Sequence, residues 1–287
     1  MQFLYSGLTS GSIYGLVALG FNIIYNTTGI INFAQGEFVM IGGMLIYTLF
    51  SVMGLPFPIA FFGAVGCAFL VGIVFERVFI RLTRIKNELN LITVTIAASI
   101  IIRDVAMHVW GRDSLPVKEF IPVFNIKMPG GVISSQSVLV ILVSLAVAFG
   151  LNLFLKKSRY GKAMRASFDD PVAAETCGIS VSTIRVMSFA VASLLGAVAG
   201  VIIAPIMFVT YDDGIMTGLK GFSAAILGGL GNFGAAIAGG LMLGIFESFS
   251  ASVIPSGLKD AVAFLVILLI LFVKPDGLFG KKKVHRV

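Results

Sequence analysis

Five long stretches of this sequence contain no ionised side chain: residues 1–36, 38–75, 128–155, 186–211 and 221–246. A helix that spans a bilayer needs about 20 mainly apolar residues, and each stretch is longer than that. Only 12% of the 287 residues are Asp, Glu, Lys or Arg, about half the usual share in a soluble domain. The sequence therefore predicts an all-α polytopic membrane protein. A membrane β-barrel is excluded because short segments of alternating polarity do not recur.

The apolar segments predict about nine membrane helices. The predicted helices cover residues 4–25, 31–50, 57–75, 88–108, 132–155, 186–208, 217–230, 233–252 and 259–274. The seventh segment is short and interrupted by glycine, so eight full spans with one half-helix is an open alternative to nine.

The positions of Lys and Arg predict the orientation of these helices. Cytoplasmic loops are enriched in basic residues, and three clusters plus Arg185 contain most of the 21 Lys and Arg residues. The clusters are Arg77–Lys86, Lys156–Arg165 and Lys274–Arg286. Placing all three inside requires nine spans, an N-terminus outside and a C-terminus inside. Because orientation explains the net charge of +7, we expect no nucleic-acid partner.

The chain is predicted to form a single membrane domain, residues 1–287, with a cytoplasmic loop at 156–185. In this loop Asp170 is suited to cap a helix, Pro171 to begin it and Gly178 to follow its end. The predicted helix, 171–177, is too short to persist without packing partners. Two alternatives stay open: the helix docks on another protein, or it lies on lipid headgroups.

Several polar side chains are predicted to lie at membrane depth. Asn32, Gln35 and Glu37 separate two apolar stretches, and Glu247 lies inside the eighth predicted helix. Ionisable groups in a membrane normally face a bundle interior or a polar cavity, so these residues either line a pathway or form structural hydrogen bonds. We expect Arg103–Asp104 to neutralise each other near the outer interface.

Glycines four residues apart predict close helix packing. They occur in three sets: Gly7, Gly11 and Gly15; Gly196 and Gly200; Gly240 and Gly244. We favour packing within one bundle over homodimerisation. The sequence lacks the G-x-x-x-x-G-K-[ST] phosphate loop, and its two Cys and two His residues are too scattered for a metal site. We therefore expect a protein without enzymatic activity or a cofactor, so any ATP hydrolysis would occur in another subunit.

Five segments together resemble the permeases of branched-chain amino-acid ABC importers. They are Gly11–Gly20, Ile31–Glu37, Ser158–Ser180, Ala225–Ala235 and Val273–Gly280. The similarity extends over residues 2–280 and is greatest to the shorter of the two permeases that pair in these systems. One departure is Gln35, where family members often have His.

The resemblance implies a fold similar to type II importers such as the vitamin B12 and ribose permeases. It implies a second homologous permease as heterodimer partner, two cytoplasmic ATP-binding subunits, an extracellular or periplasmic substrate-binding protein, and membrane lipid. The 156–185 loop would then carry the helix that docks on the ATPase, with Ala174 entering a groove there. The residues expected to couple the chain to the ATPase are Gly161, Arg165, Asp169, Asp170, Pro171, Ala174, Glu175 and Gly178. Those expected on a translocation path are Asn32, Gln35, Glu37, Asn232 and Glu247.

We therefore predict an inner-membrane permease subunit that translocates branched-chain amino acids. A stand-alone secondary transporter or channel for a small polar solute is the alternative from another functional class. Within the family, urea and short amides remain alternative substrates, and the permease pair could be hetero- or homodimeric.

Overall fold

The structure of the protein is a computed structural model that describes residues 1–83, 87–253, 259–274 and 277–279. These residues form eleven α-helices and one short β-hairpin. Several predicted basic positions lie outside the described residues: Arg84, Lys86, Lys281, Lys282, Lys283 and Arg286.

The helices follow one another along the chain, and the longest connection, residues 111–134, lies between α4 and α5. The first five are α1 (Gln2–Thr28), α2 (Gln35–Ile46), α3 (Phe57–Phe75), α4 (Glu88–Trp110) and α5 (Ser135–Lys157). The next six are α6 (Arg159–Asp169), α7 (Pro171–Thr176), α8 (Val181–Ile203), α9 (Asp213–Gly228), α10 (Phe233–Val253) and α11 (Lys259–Val273). Short π-helical segments, Tyr47–Val52 and Glu76–Ile80, extend α2 and α3.

Within the described residues, seven helices are long and apolar enough to cross a membrane: α1, α2 and α3 with their π-helical extensions, α4, α5, α8 and α10. The all-α polytopic prediction is thus confirmed. The predicted seventh and ninth spans correspond to α9 and α11, which have 16 and 15 residues.

Several predicted helix boundaries are wrong by three to five residues. The sixth helix, predicted at 186–208, is α8 at Val181–Ile203, because Ser180 caps its start and Pro205 follows its end. The fifth was predicted to begin at 132, but Asn125–Met128 (β1) and Gly131–Ser134 (β2) form an antiparallel hairpin before α5 begins. Pro129 and Gly130, with φ of 81° at Gly130, make the turn of this hairpin.

Helix α1 runs through the centre of the bundle. Every residue from Gly11 to Ile24 is buried. A Cβ added at Gly7 would lie 2.8 Å from the Gly244 carbonyl oxygen, and one at Gly11 would lie 2.8 Å from that of Gly240. The glycine sets of α1 and α10 therefore pack against each other within one chain, as expected. Helices α3, α4 and α5 lie around this core and expose apolar side chains such as Phe62, Leu89 and Phe149.

Contacts at the two ends of α1 distinguish the two ends of the bundle. At its start the Tyr5 hydroxyl donates to the Pro129 carbonyl (3.2 Å) in the hairpin turn, and we call this the hairpin end. Near its other terminus the Tyr25 ring packs against Phe168 of α6, with centroids 6.0 Å apart. We call this the α6 end.

Candidate functional site

The loop between α5 and α8 contains two helices, of which the sequence analysis predicted only the second. Helix α6 begins where the Ser158 hydroxyl accepts from the Gly161 amide (3.1 Å). A signal for α6 was present, because Tyr160, Met164 and Phe168 recur at the spacing of an apolar helix face. Gly161 is required here, since a Cβ at this position would clash with the Leu155 carbonyl.

Helix α7 forms at Pro171–Thr176, one residue shorter than predicted. Asp170 Oδ1 accepts from the amides of Val172 and Ala173, both at 3.0 Å. At the other terminus Gly178 has a φ of 81°, and the Ile179 amide donates to the Ala174 carbonyl (3.0 Å). The capping chemistry read from the sequence is therefore present at both ends of this short helix.

Side chains tie α6 to two membrane helices. The hydroxyls of Tyr160 and Ser188 lie 2.9 Å apart, and Ser188 Oγ lies 2.8 Å from Thr27 Oγ1. This chain of hydroxyls links α6 to α8 and then to α1. Burial raises the pKa of Tyr160 to about 12, so its hydroxyl keeps its proton at neutral pH. A displacement of α6 would therefore be transmitted directly to the helices that pack around the centre of the bundle.

The eight predicted coupling residues divide into two groups. Gly161 and Ala174 are buried, whereas the other six are exposed: Arg165, Asp169, Asp170, Pro171, Glu175 and Gly178. Ala174 is only 4% exposed within this chain, so its side chain packs inside the protein's own fold. The expectation that Ala174 is buried is confirmed, and its burial is supplied by this chain; its role in coupling stays a prediction. The apolar side chain that α7 presents to its surroundings is Val172, which is 74% exposed.

A second group of predicted residues surrounds the start of α2. Asn32 Oδ1 accepts from the Ala34 amide (3.1 Å), and Gln35 Nε2 donates to the Ala192 carbonyl (2.9 Å). Among the described residues, Asn32 Nδ2, Gln35 Oε1 and Glu37 Oε2 have no hydrogen-bond partner. Packing is tight here, because a Cβ at Gly36 would clash with the Gly214 carbonyl. This region therefore combines unsatisfied polar atoms with close helix packing.

The ion pair predicted within Arg103–Asp104 does not form. Arg103 Nη2 instead lies 2.9 Å from Glu37 Oε1 and joins α4 to α2. Asp104 faces His108, with 3.7 Å between its Oδ2 and His108 Nδ1, and both side chains are exposed. Adjacent helical residues point about 100° apart, so Arg103 and Asp104 reach different surroundings.

A cavity of about 390 Å³ lies between α1, α2, α8, α9 and α10. Its lining near the hairpin end includes Ser6 and Phe208, which are both exposed. Its walls combine apolar side chains such as Ile13, Met40 and Ile203 with polar ones that include Asp213, Thr217 and Ser248. One predicted pathway residue, Glu247, lines this cavity.

Three polar residues from different helices meet at this cavity. Lys220 Nζ of α9 lies 2.7 Å from Glu247 Oε1 of α10, and the Tyr14 hydroxyl of α1 donates to Glu247 Oε2 (2.8 Å). Lys220 Nζ also lies 5.6 Å from the centre of the Tyr14 ring. We call Tyr14, Lys220 and Glu247 the charged triad. All three line the cavity.

The structure does not bring the five predicted pathway residues together. Glu247 lines the cavity, but Asn32, Gln35 and Glu37 are packed at the start of α2. Asn232 lies towards the α6 end, where its Oδ1 accepts from the Ala235 amide (3.3 Å) and its carbonyl accepts from Asn22 (3.1 Å). Lys220 was missed, although a basic residue inside the seventh predicted helix was a signal for a buried partner of opposite charge.

The chain is similar to known proteins over its whole length. The sequence profile of the family described as "Branched-chain amino acid transport system / permease component" matches residues 3–271. The chain is 36% identical to the high-affinity branched-chain amino acid transport system permease protein BraD of Pseudomonas aeruginosa, over 100% of this chain and 98% of that protein. It is 32% identical to the corresponding Escherichia coli protein LivH, over 100% of this chain and 97% of that protein.

A solved structure shares the fold. PsaBC from Streptococcus pneumoniae, determined in complex with Fab, superposes with a TM-score of 0.50 and covers 95% of this chain and 91% of that chain. Sequence identity is 14%, so this similarity concerns the overall fold alone.

Proposed function

This chain belongs to the family of branched-chain amino acid transport permeases, and we propose that it carries branched-chain amino acids as one subunit of an ABC importer. It is a multi-pass protein of the inner membrane. The observation that carries the proposal is the capped pair of helices α6 and α7, which presents Val172 outwards and is tied to α1 and α8 by hydroxyl contacts.

We propose nine membrane crossings with the hairpin end outside and the α6 end inside, as in type II importers. The basic residues Lys156, Lys157, Arg159, Lys162 and Arg165 support this orientation, since they lie at or near the start of α6. Helices α9 and α11 would be the two short crossings. The contact between Tyr5 and Pro129 supports an outer position for the N-terminus.

Thiol labelling tests this topology. Cys177 is exposed beside α7 and should react with a membrane-impermeant maleimide in inside-out vesicles but not in intact spheroplasts. A Lys118→Cys variant without Cys67 and Cys177 should show the opposite pattern, because Lys118 is exposed in the connection between α4 and α5. Labelling of both positions from the same side would contradict the nine crossings.

The partners we propose are a second homologous permease, two cytoplasmic ATP-binding subunits and a substrate-binding protein outside. Helix α7 supports an ATPase partner, because the buried Ala174 holds it on this chain while the apolar side chain of Val172 is presented outwards. The loop 156–185, which contains both α6 and α7, would be the coupling element of a single membrane domain. Its exposed charged residues Arg165, Asp169 and Glu175 would surround the contact.

The chain alone should neither hydrolyse ATP nor bind it above background. The sequence offers no phosphate loop, so if ATP drives transport, a partner subunit hydrolyses it. Uptake of radiolabelled leucine into proteoliposomes should require all the subunits and ATP inside the vesicles. ATP-independent uptake of leucine by the purified chain would favour the stand-alone transporter instead. Uptake of urea but not of leucine would show that the substrate is urea rather than a branched-chain amino acid.

A further inference from the structure

We propose that the charged triad binds the ammonium and carboxylate groups of a zwitterionic amino acid while the apolar wall of the cavity receives its aliphatic side chain. The inference rests on the proposed function, because it assigns a substrate contact within that transporter. It concerns Tyr14, Lys220 and Glu247, of which the sequence analysis identified only Glu247, without a ligand.

The charges of the triad complement those of a zwitterion. Lys220 and Glu247 are opposite charges joined at 2.7 Å, and both side chains are about 90% buried, with 11% and 10% exposed. An entering amino acid would place its carboxylate against Lys220 and its ammonium against Glu247, so one ion pair is replaced by two. The total charge of the site stays constant during this exchange. A ligand with a single charge could form only one of these two ion pairs.

The position of the triad suits a path from outside. Tyr14 lies twelve residues after Gln2, which is about 18 Å along α1 at 1.5 Å per residue. That depth is near the middle of a hydrocarbon layer about 30 Å thick. Ser10 lies one helical turn nearer the hairpin end and also lines the cavity. A solute that enters at the hairpin end would therefore pass Ser10 before it reaches the charges.

The remaining walls fit an aliphatic side chain. Ile13, Val39, Met40 and Ile203 contribute apolar surface, and a cavity of about 390 Å³ lies within the usual size range of small-molecule sites (about 300–1,000 Å³). A few converging polar groups in an apolar cavity are typical of a ligand site. Stability alone is a weak reason for the ion pair, because buried pairs can often be replaced by apolar residues without loss.

Protection of a cysteine against labelling tests the proposal. In a chain with Cys67 and Cys177 replaced by Ser, we would introduce Ser10→Cys and assemble the nucleotide-free complex in nanodiscs without the binding protein. Millimolar L-leucine should slow maleimide labelling of this cysteine several-fold. The matched control is Ser114→Cys, because Ser114 is exposed in the connection between α4 and α5. Leucine should leave the labelling rate of this cysteine unchanged.

Two ligands that each keep one charge of leucine provide the decisive comparison. 4-Methylpentanoate lacks the ammonium group and isoamylamine lacks the carboxylate, so neither should protect at the leucine concentration used. Glu247→Gln and Lys220→Met should each remove protection by leucine while the labelling rate without leucine stays the same. If either variant fails to assemble, Tyr14→Phe, which removes the hydrogen bond to Glu247, should weaken the protection.

The outcomes separate this inference from the proposed function. Failure of the wild-type complex with its binding protein to take up leucine would overturn both. If the wild-type complex takes up leucine normally, but the Ser10→Cys cysteine is not labelled by maleimide or is not protected by leucine, only the proposed site is overturned. Equal protection by 4-methylpentanoate, or protection that persists in Glu247→Gln, would also overturn it, because the site would then recognise only the apolar side chain.

Discussion

Val172→Asp in α7 is expected to abolish both leucine uptake and stimulation of the partner ATPase, while the permease stays folded in the membrane. Val172 is 74% exposed, so its replacement changes few contacts inside the chain. A carboxylate in an apolar docking pocket would lose its hydration without gaining a partner, which costs several kcal/mol. The measurements are uptake and ATPase rate in reconstituted complexes, with copurification of the ATPase as the binding assay.

Two further substitutions at Val172 distinguish protein docking from contact with lipid. Val172→Ile keeps the apolar character and should retain most of the activity. Val172→Lys should be inactive if α7 docks on the ATPase. It should be close to normal if α7 lies on anionic headgroups, where an added lysine strengthens binding. Near wild-type ATPase stimulation with Val172→Asp would refute the coupling role of α7.

The membrane helices could be predicted from the sequence because a bilayer permits few alternatives. Backbone groups in lipid must be satisfied within the segment, so each apolar stretch had to become a helix. The boundaries were less predictable where capping decided them. Helix α8 begins five residues earlier than predicted because the Ser180 hydroxyl accepts from the Thr183 amide. The hairpin was missed although Pro129–Gly130 is a turn signal between two short apolar runs.

The candidate site was only partly predictable because its contacts join residues far apart in the sequence. Local chemistry revealed the cap at Asp170, but the partners of Glu37 and Glu247 depend on how the helices pack. Arg103 pairs with Glu37 across 66 positions, and Lys220 pairs with Glu247 across 27. Ala174 shows the same limit, because no local pattern reveals whether a small residue on a short helix faces its own chain or a partner.

Gly11→Leu is expected to destabilise the bundle strongly. Lipid is as apolar as a leucine side chain, so close packing supplies much of the attraction between membrane helices. A Cβ at Gly11 would lie 2.8 Å from the Gly240 carbonyl oxygen and from the Leu241 Cα. Both obstacles are backbone atoms of α10, so the two helices must separate rather than adjust a side chain.

We expect a loss of about 3 kcal/mol, at the upper end of the range for over-packed cores. This corresponds to a fall on the order of 10 °C in the apparent melting temperature, measured by the loss of monodisperse protein from heated detergent extracts. Gly66→Leu is the matched control, since Gly66 is an exposed helical glycine with nothing within 4 Å of an added Cβ. Its apparent melting temperature should equal that of the wild type. If Gly11→Leu also melts with the wild type, α1 and α10 do not pack through their glycines, and the position of Tyr14 beside Glu247 would lose its support.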